Sequence, residues 1–370
     1  HDKSGDGKID IVGNDVINNK VQSYFFVFRN KSVKGKIEFA SMGEYLSVGY
    51  SVDKIFVKDM DADGKLDVVT ASKINPGYSI FKNTSPQLYL PIVFNKPMIY
   101  PLNEYGNDKV NHFDISIEDL NIDGKPDIII AAGIGELYDG AQYIYITQNF
   151  SKEGNLNLIY MSRIRLPYQN IYSDRKIFVG NIDNAVMPGI AFVYSIYLTK
   201  NPTTAIYSYH NITFMPGGLI NLKYSSAVSF NTDSQTDFMM ADIDGDNKGD
   251  IISFGSKLYP LLVKDLVVNR NTTSTKDISW SRDTSYIYLT NFFSQTTNPV
   301  IPLAVADFDG NGIVDVIANY FDILSEQYSI AAIRRKTGFC NSTQKDENGA
   351  SEIVANNSPF LTKLPIVVKP

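Results

Sequence analysis

Apolar residues along this chain come in short runs, each closed within a few residues by a cluster of Asp, Gly, Asn or Ser. Leu66-Asp-Val-Val69 and the stretch from Ile128 to Ile134 are typical. Runs of this length between turn signals are strands. No segment keeps a 3.6-residue apolar period over a useful length, which excludes a helical solenoid. Between residues 53 and 94 the pattern predicts four strands: Asp53 to Lys58, Leu66 to Ala71, Tyr78 to Lys82 and Leu90 to Phe94.

The polar punctuation between strands repeats. Asp59-Met-Asp61-Ala-Asp63-Gly64-Lys65-Leu-Asp67 is matched by Asp119-Leu-Asn121-Ile-Asp123-Gly124-Lys125-Pro-Asp127 and by Asp242-Ile-Asp244-Gly-Asp246-Asn247-Lys248-Gly-Asp250. Further copies run from Asp2 through Ser4, Asp6 and Lys8 to Asp10, and from Asp307 through Asp309, Asn311 and Ile313 to Asp315. A worn copy, Asn181-Ile-Asp183-Asn184-Ala185-Val-Met-Pro-Gly189, lacks the carboxylates at positions five and nine. The starts at 2, 59, 119, 181, 242 and 307 define a period near 61 residues.

Oxygen side chains at positions 1, 3, 5 and 9 of a tight turn are what a hard divalent cation needs, since Ca²⁺ takes six to eight oxygen ligands. Position 6 must turn sharply; glycine does so at little cost, and Asn247 is the non-glycine type most tolerant of it. Position 7 is expected to add only its backbone carbonyl, through Lys8, Lys65, Lys125, Lys248 and Ile313. An EF-hand is excluded: position 12 is Val12, Thr70, Ile130, Ser253 or Ala318, and the flanks are strands. Five Ca²⁺ sites are expected, with the fourth repeat empty or weak.

Four short strands per repeat make one blade of a β-propeller. The Asp-x-Asp-x-Asp-Gly-x-x-Asp loops at 59, 119, 242 and 307, with the variant at 2, resemble the cation loop of the FG-GAP or VCBS-type propellers known from the integrin α-subunit head. The hairpin from Val27 to Phe39 is similar to that family's following turn. The resemblance implies an all-β single domain over residues 1–370. Six four-stranded blades are placed near 1–46, 50–105, 110–168, 174–228, 236–290 and 300–358. Integrin-type rings usually have seven blades, so an incomplete seven-bladed ring is the alternative. The segment from Leu364 to Pro370 reads like the strand before Asp59 and is expected to close the ring as the inner strand of the first blade; donation to a neighbouring molecule is the other possibility.

Asn-x-Ser/Thr sequons occur at Asn30, Asn83, Asn149, Asn211, Asn271, Asn341 and Asn356. The first six fall 24 to 34 residues after the start of their own loop motif, one per blade. Read as glycan acceptors, they place the chain in a secretory pathway, at an extracellular or cell-surface location where calcium is millimolar. Hairpin turns also favour Asn, Ser and Thr without any glycan.

Charge adds one correction. The net charge is −6, but 17 of the 40 acidic residues lie in the five good loops, and five bound Ca²⁺ would take the formal value to +4. No basic stripe marks a nucleic-acid partner. No apolar run nears the roughly 18 residues of a membrane span. Cys340 has no partner in the sequence for an internal disulfide, and His112 and His210 stand near no recognisable nucleophile motif. The expectation is therefore a non-enzymatic, calcium-stabilised extracellular glycoprotein acting as an adhesion or structural platform, with self-assembly possible. A lectin-like propeller is the alternative, and an enzyme's accessory domain a weaker one. A protein or glycan partner is expected on the face opposite the loops, where Tyr45, Tyr50, Tyr78, Tyr100, Tyr105, Tyr138, Tyr168, Tyr172, Tyr197, Tyr259, Tyr320 and Phe321 fall.

Overall fold

The computed structural model describes residues 10–17, 22–33, 36, 38–40, 44–48, 51–86, 92–102, 110–134, 141–166, 175–196, 203–213, 215–231, 234–257, 263–274, 278–288, 301–306, 314–322, 327–333 and 364–365. The chain divides into two compact units, His1–Asn170 with Phe214–Ile220, and Ile171–Thr213 with Asn221–Pro370. Among the described residues no helix is long and apolar enough to cross a membrane.

The first unit holds three antiparallel sheets. One contains β1 (Ile11–Ile17), β2 (Gln22–Phe28) and β3 (Glu44–Ser47). The next contains β4 (Lys54–Lys58), β5 (Asp67–Ser72), β6 (Gly77–Phe81) and β7 (Met98–Pro101). The third contains β8 (Val110–Glu118), β9 (Asp127–Ile134), β10 (Ala141–Asn149) and β11 (Leu158–Arg165).

The second unit holds three more. β12 (Arg175–Gly180), β13 (Gly189–Ile196), β14 (Thr203–Asn211) and β15 (Leu222–Asn231) form one. β16 (Ser234–Ala241), β17 (Asp250–Lys257), β18 (Val263–Asn271) and β19 (Trp280–Tyr288) form another. β20 (Ile301–Ala306), β21 (Asp315–Asp322), β22 (Gln327–Ile333) and β23 (Leu364–Pro365) form the last. Among the described residues five sheets thus have four strands, each paired in chain order with its neighbours, which is the meander of a propeller blade.

Burial explains why the strands read as short continuous runs. β5 and β6 are buried along their whole length, so both faces need apolar or satisfied side chains. β11 lies at a sheet edge and is mostly exposed. Within the first unit, Val69, Ile80, Ile115, Ile117 and Ile128 share one core with Met60, and Phe25, Val68 and Phe81 share another. Within the second, Ile206, Phe238 and Ile251 pack with Ile182 and Trp280, whose Nε1 donates to Ser208 Oγ at 2.8 Å. Position 2 of the repeated motif is therefore a core position: Met60, Leu120 and Ile182 are all buried.

Two sequence expectations need correcting. The fourth strand of the second repeat is Met98–Pro101, not Leu90 to Phe94. Phe94 instead bridges Asn83, and Thr84 N donates to Val93 O, so Val93 and Phe94 belong to the return limb of the hairpin, with the strand proper following them. Leu364–Pro365 does not pair with the first sheet; it adds to β22 as the outermost strand of the last one. An edge strand presents unpaired backbone groups, and the nearest later β-prone segment satisfies them. The first sheet has three strands among the described residues. Ile366 to Pro370 lie outside them.

Candidate cation loops

The motifs at 59, 119, 181 and 242 each join the first and second strands of their sheet, and those at 59, 119 and 242 share one internal geometry. Position 1 accepts from the loop's own backbone. Asp59 Oδ2 takes Gly64 N at 2.9 Å, Asp119 Oδ2 takes Gly124 N at 2.8 Å, and Asp242 Oδ2 takes Asn247 N at 2.8 Å. Position 9 ties the loop's start to a distant strand. Asp67 Oδ2 accepts Met60 N at 2.9 Å while Oδ1 accepts Asn83 N at 2.8 Å. Asp127 does the same with Leu120 and Asn149, and Asp250 with Ile243 and Asn271. Asp10 Oδ1 accepts Asn30 N at 2.9 Å, extending that last bond to the first sheet.

The backbone follows from these bonds. Gly64 and Gly124 both sit at φ 84°, and Asn247 at 65°, so position 6 is left-handed as its residue types require. Position 4 is left-handed too, through Ala62, Ile122, Asn184 and Gly245. Sequence reading missed this, because alanine and isoleucine do not advertise it. Ile122, β-branched at φ 55°, is held in a strained conformation. Ile122→Gly should relieve it and raise stability by about 1 kcal/mol, read as an increase in urea midpoint. A lower midpoint would show that the isoleucine side chain makes compensating contacts.

Among the described residues, carboxylate oxygens converge in two loops. Asp59, Asp61 and Asp67 each offer one within 4.8 Å of the others, and so do Asp242, Asp244 and Asp250. These two clusters could hold a metal ion. In the motif at 119 the third position is Asn121, so the same place carries two carboxylates and an amide. Position 3 supplies the most telling atom. Oδ1 of Asp61, Asn121 and Asp244 is buried without a hydrogen-bond partner, and Asp61 and Asn121 are fully enclosed. A buried unsatisfied oxygen is costly, and its recurrence at one motif position fits a cationic ligand there.

Crowding shows in the acids' protonation. Burial, opposed by two backbone hydrogen bonds each, pushes the Asp67 and Asp127 carboxyls up to about 7 and Asp250 up to about 6; nearby loop carboxylates add to the rise. Asp244 is also raised, chiefly by burial. The lysines at position 7 also pair with the acid at position 5 through their side chains. Lys125 Nζ lies 2.9 Å from Asp123 Oδ2 and Lys65 Nζ 3.4 Å from Asp63 Oδ2, and Lys248 pairs with Asp246.

The worn fourth motif is held by other means. Asn181 Oδ1 accepts Asn184 N at 2.9 Å, and Asp183 Oδ2 meets His210 Nδ1 at 2.5 Å. Asp2, Ser4, Asp6, Lys8, Asp307, Asp309, Asn311 and Ile313 lie outside the described residues, as do Cys340, Asn341 and Asn356. Asp315 opens β21.

The described sequon asparagines lie beside these loops: Asn149, Asn211 and Asn271 end the third strand of their sheets, and Asn83 and Asn30 follow β6 and β2 by two residues. Asn83, Asn149, Asn211 and Asn271 are all buried. Each Nδ2 donates to the backbone oxygen at position 8 of its own motif: Leu66, Pro126, Pro188 and Gly249 respectively. Asn149 Nδ2 also donates to Met60 O at 2.9 Å, and Asn271 Nδ2 to Ile182 O at 2.8 Å. Each Oδ1 accepts the backbone N–H two residues on, from Ser85, Ser151, Thr213 and Thr273. Asn30 follows with Ser32 N at 2.9 Å. The nitrogen a glycan would occupy is thus enclosed and hydrogen-bonded in the folded chain.

Of the tyrosines proposed for a binding face, Tyr78 is buried and stacks on Tyr100 at 4.8 Å between ring centroids, capping the core. Tyr50, Tyr105, Tyr138, Tyr168, Tyr172, Tyr197 and Tyr259 lie outside the described residues.

No family model matches the chain, and no curated protein does. Among solved structures, a mutant of the Aleuria aurantia lectin in complex with alpha-methyl-L-fucoside aligns over 86% of this chain and 88% of that one, at 11% identity and a TM-score of 0.39.

Proposed function

We propose that the chain is a six-bladed β-propeller whose loops bind Ca²⁺ and which serves outside the cell as a rigid interaction platform rather than as a catalyst. The carrying observation is the repeated, buried, hydrogen-bond-free oxygen at position 3, set among carboxylates on a turn of fixed geometry. Oxygen-only donors favour a hard cation, and a flexible set of carboxylates and carbonyls suits Ca²⁺ better than the octahedral demands of Mg²⁺. Lysines against the loop carboxylates imply weak affinity, in the range that millimolar extracellular calcium would fill.

Calorimetric titration of the chelator-stripped chain with CaCl₂ tests this. Several sites of sub-millimolar to millimolar affinity, with a calcium-dependent rise in melting temperature, are expected. No heat and an unchanged melting temperature in excess EGTA would refute the cation reading. A glycan array probed in calcium would decide the platform's use: a defined sugar ligand would make the chain a lectin.

A further inference from the structure

In four of the sheets, one residue faces position 3 of that sheet's own loop. It immediately precedes the buried asparagine at the end of the third strand: Lys82, Gln148, His210 and Arg270. Lys82 Nζ lies 2.6 Å from Asp61 Oδ2 and also donates to Gly154 O. Arg270 Nη1 lies 3.9 Å from Asp244 Oδ2. His210 Nδ1 contacts Asp183 Oδ2 at 2.5 Å. In the remaining loop position 3 is the neutral Asn121, and the facing residue is neutral as well. Gln148 Nε2 and Asn121 Nδ2 both donate to Gly218 O at 3.1 Å, and Gln148 Oε1 accepts Ile220 N. Among these four described loops, an acid at position 3 is met by a basic or imidazole side chain, and the amide by an amide.

We infer that the residue just before the buried asparagine is a built-in competitor for its loop's cation and sets that loop's affinity. The inference rests on the cation reading above and goes beyond it, because it ranks the loops. Asp61 is fully enclosed and its Oδ1 has no hydrogen-bond partner, so its charge needs a counter-ion. Without metal, the Lys82 ammonium is that counter-ion. A divalent cation bound by Asp61 must displace the ammonium or sit against its charge. At separations of about 5 Å such repulsion remains substantial even when well screened, enough for roughly a tenfold change in affinity. Arg270 stands farther from its carboxylate and competes less. The loop at 119 has fewer acids but no competitor on this side.

Lys82→Gln, which installs the side chain found at 148, should tighten one calcium site about tenfold in calorimetric titration of the full chain with CaCl₂, leaving stoichiometry unchanged. Arg270→Gln should tighten another by about threefold. It guards against Lys82→Gln failing to fold because Asp61 loses its partner, and circular dichroism checks folding in both. Calcium binding by the wild type with unchanged or weaker affinity in the folded variants would overturn the inference alone. Absence of binding in wild type and variants alike would overturn it together with the cation reading. A site absent in wild type and gained in Lys82→Gln would support it.

Discussion

Asn149→Ala should destabilise the chain by about 3 kcal/mol or more, because three buried backbone groups lose their partner at once. Met60 O and Pro126 O lose a donor and Ser151 N loses an acceptor, in a site closed to water. Ser151→Ala removes the same sequon while leaving Asn149 in place. It gives up the Asn157 N bond to Ser151 Oγ and should cost about 1 kcal/mol. If Asn149 were instead a glycan acceptor, both variants would shed one glycan and differ little in stability. The folded chain secreted from eukaryotic cells should therefore carry no glycan at Asn83, Asn149, Asn211 or Asn271. A glycan mass on any of these four in folded, calcium-replete protein would contradict that assignment.

The second large effect is a reversal of pH dependence by metal. In chelator, Asp67 and Asp127 titrate near 7 and Asp250 near 6, above the ordinary 3.8. A carboxyl whose folded pKa is raised contributes stability that is fully present below about 3.8 and disappears as pH rises through 6 to 7. Metal-free protein should thus melt several degrees higher near pH 4 than near pH 8. Calcium favours the ionised acids, so adding it at pH 8 should restore the lost degrees and at pH 4 should change little. A melting temperature in chelator that climbs from pH 4 to pH 8 would show that burial does not protonate these acids.

The loops and the strands beside them were legible because their signals are local. Alternating Asp oxygens and a residue tolerant of positive φ identify the turn, and short apolar runs identify β5 and β9. What escaped depends on partners far along the chain. The hairpin between Asn83 and Phe94 displaced the fourth strand. Nothing near Asn149 shows that its amide reaches Met60, 89 residues earlier. Asn-x-Ser/Thr is read as an acceptor signal by pattern, yet the same three residues form a closed side-chain turn when buried. Lys82 reads only as the last residue of a predicted strand, and its ion pair with Asp61 is set by the fold.

The asparagine bonds to Met60 and to Ile182 each span 89 residues, well over one repeat. A repeat cut out alone would hold an asparagine amide with half its acceptors and a position-2 carbonyl with no donor. Each of these repeats is therefore coupled to its neighbour through a buried amide. A cut between β7 and β8 would leave Met60 O without the amide that Asn149 supplies.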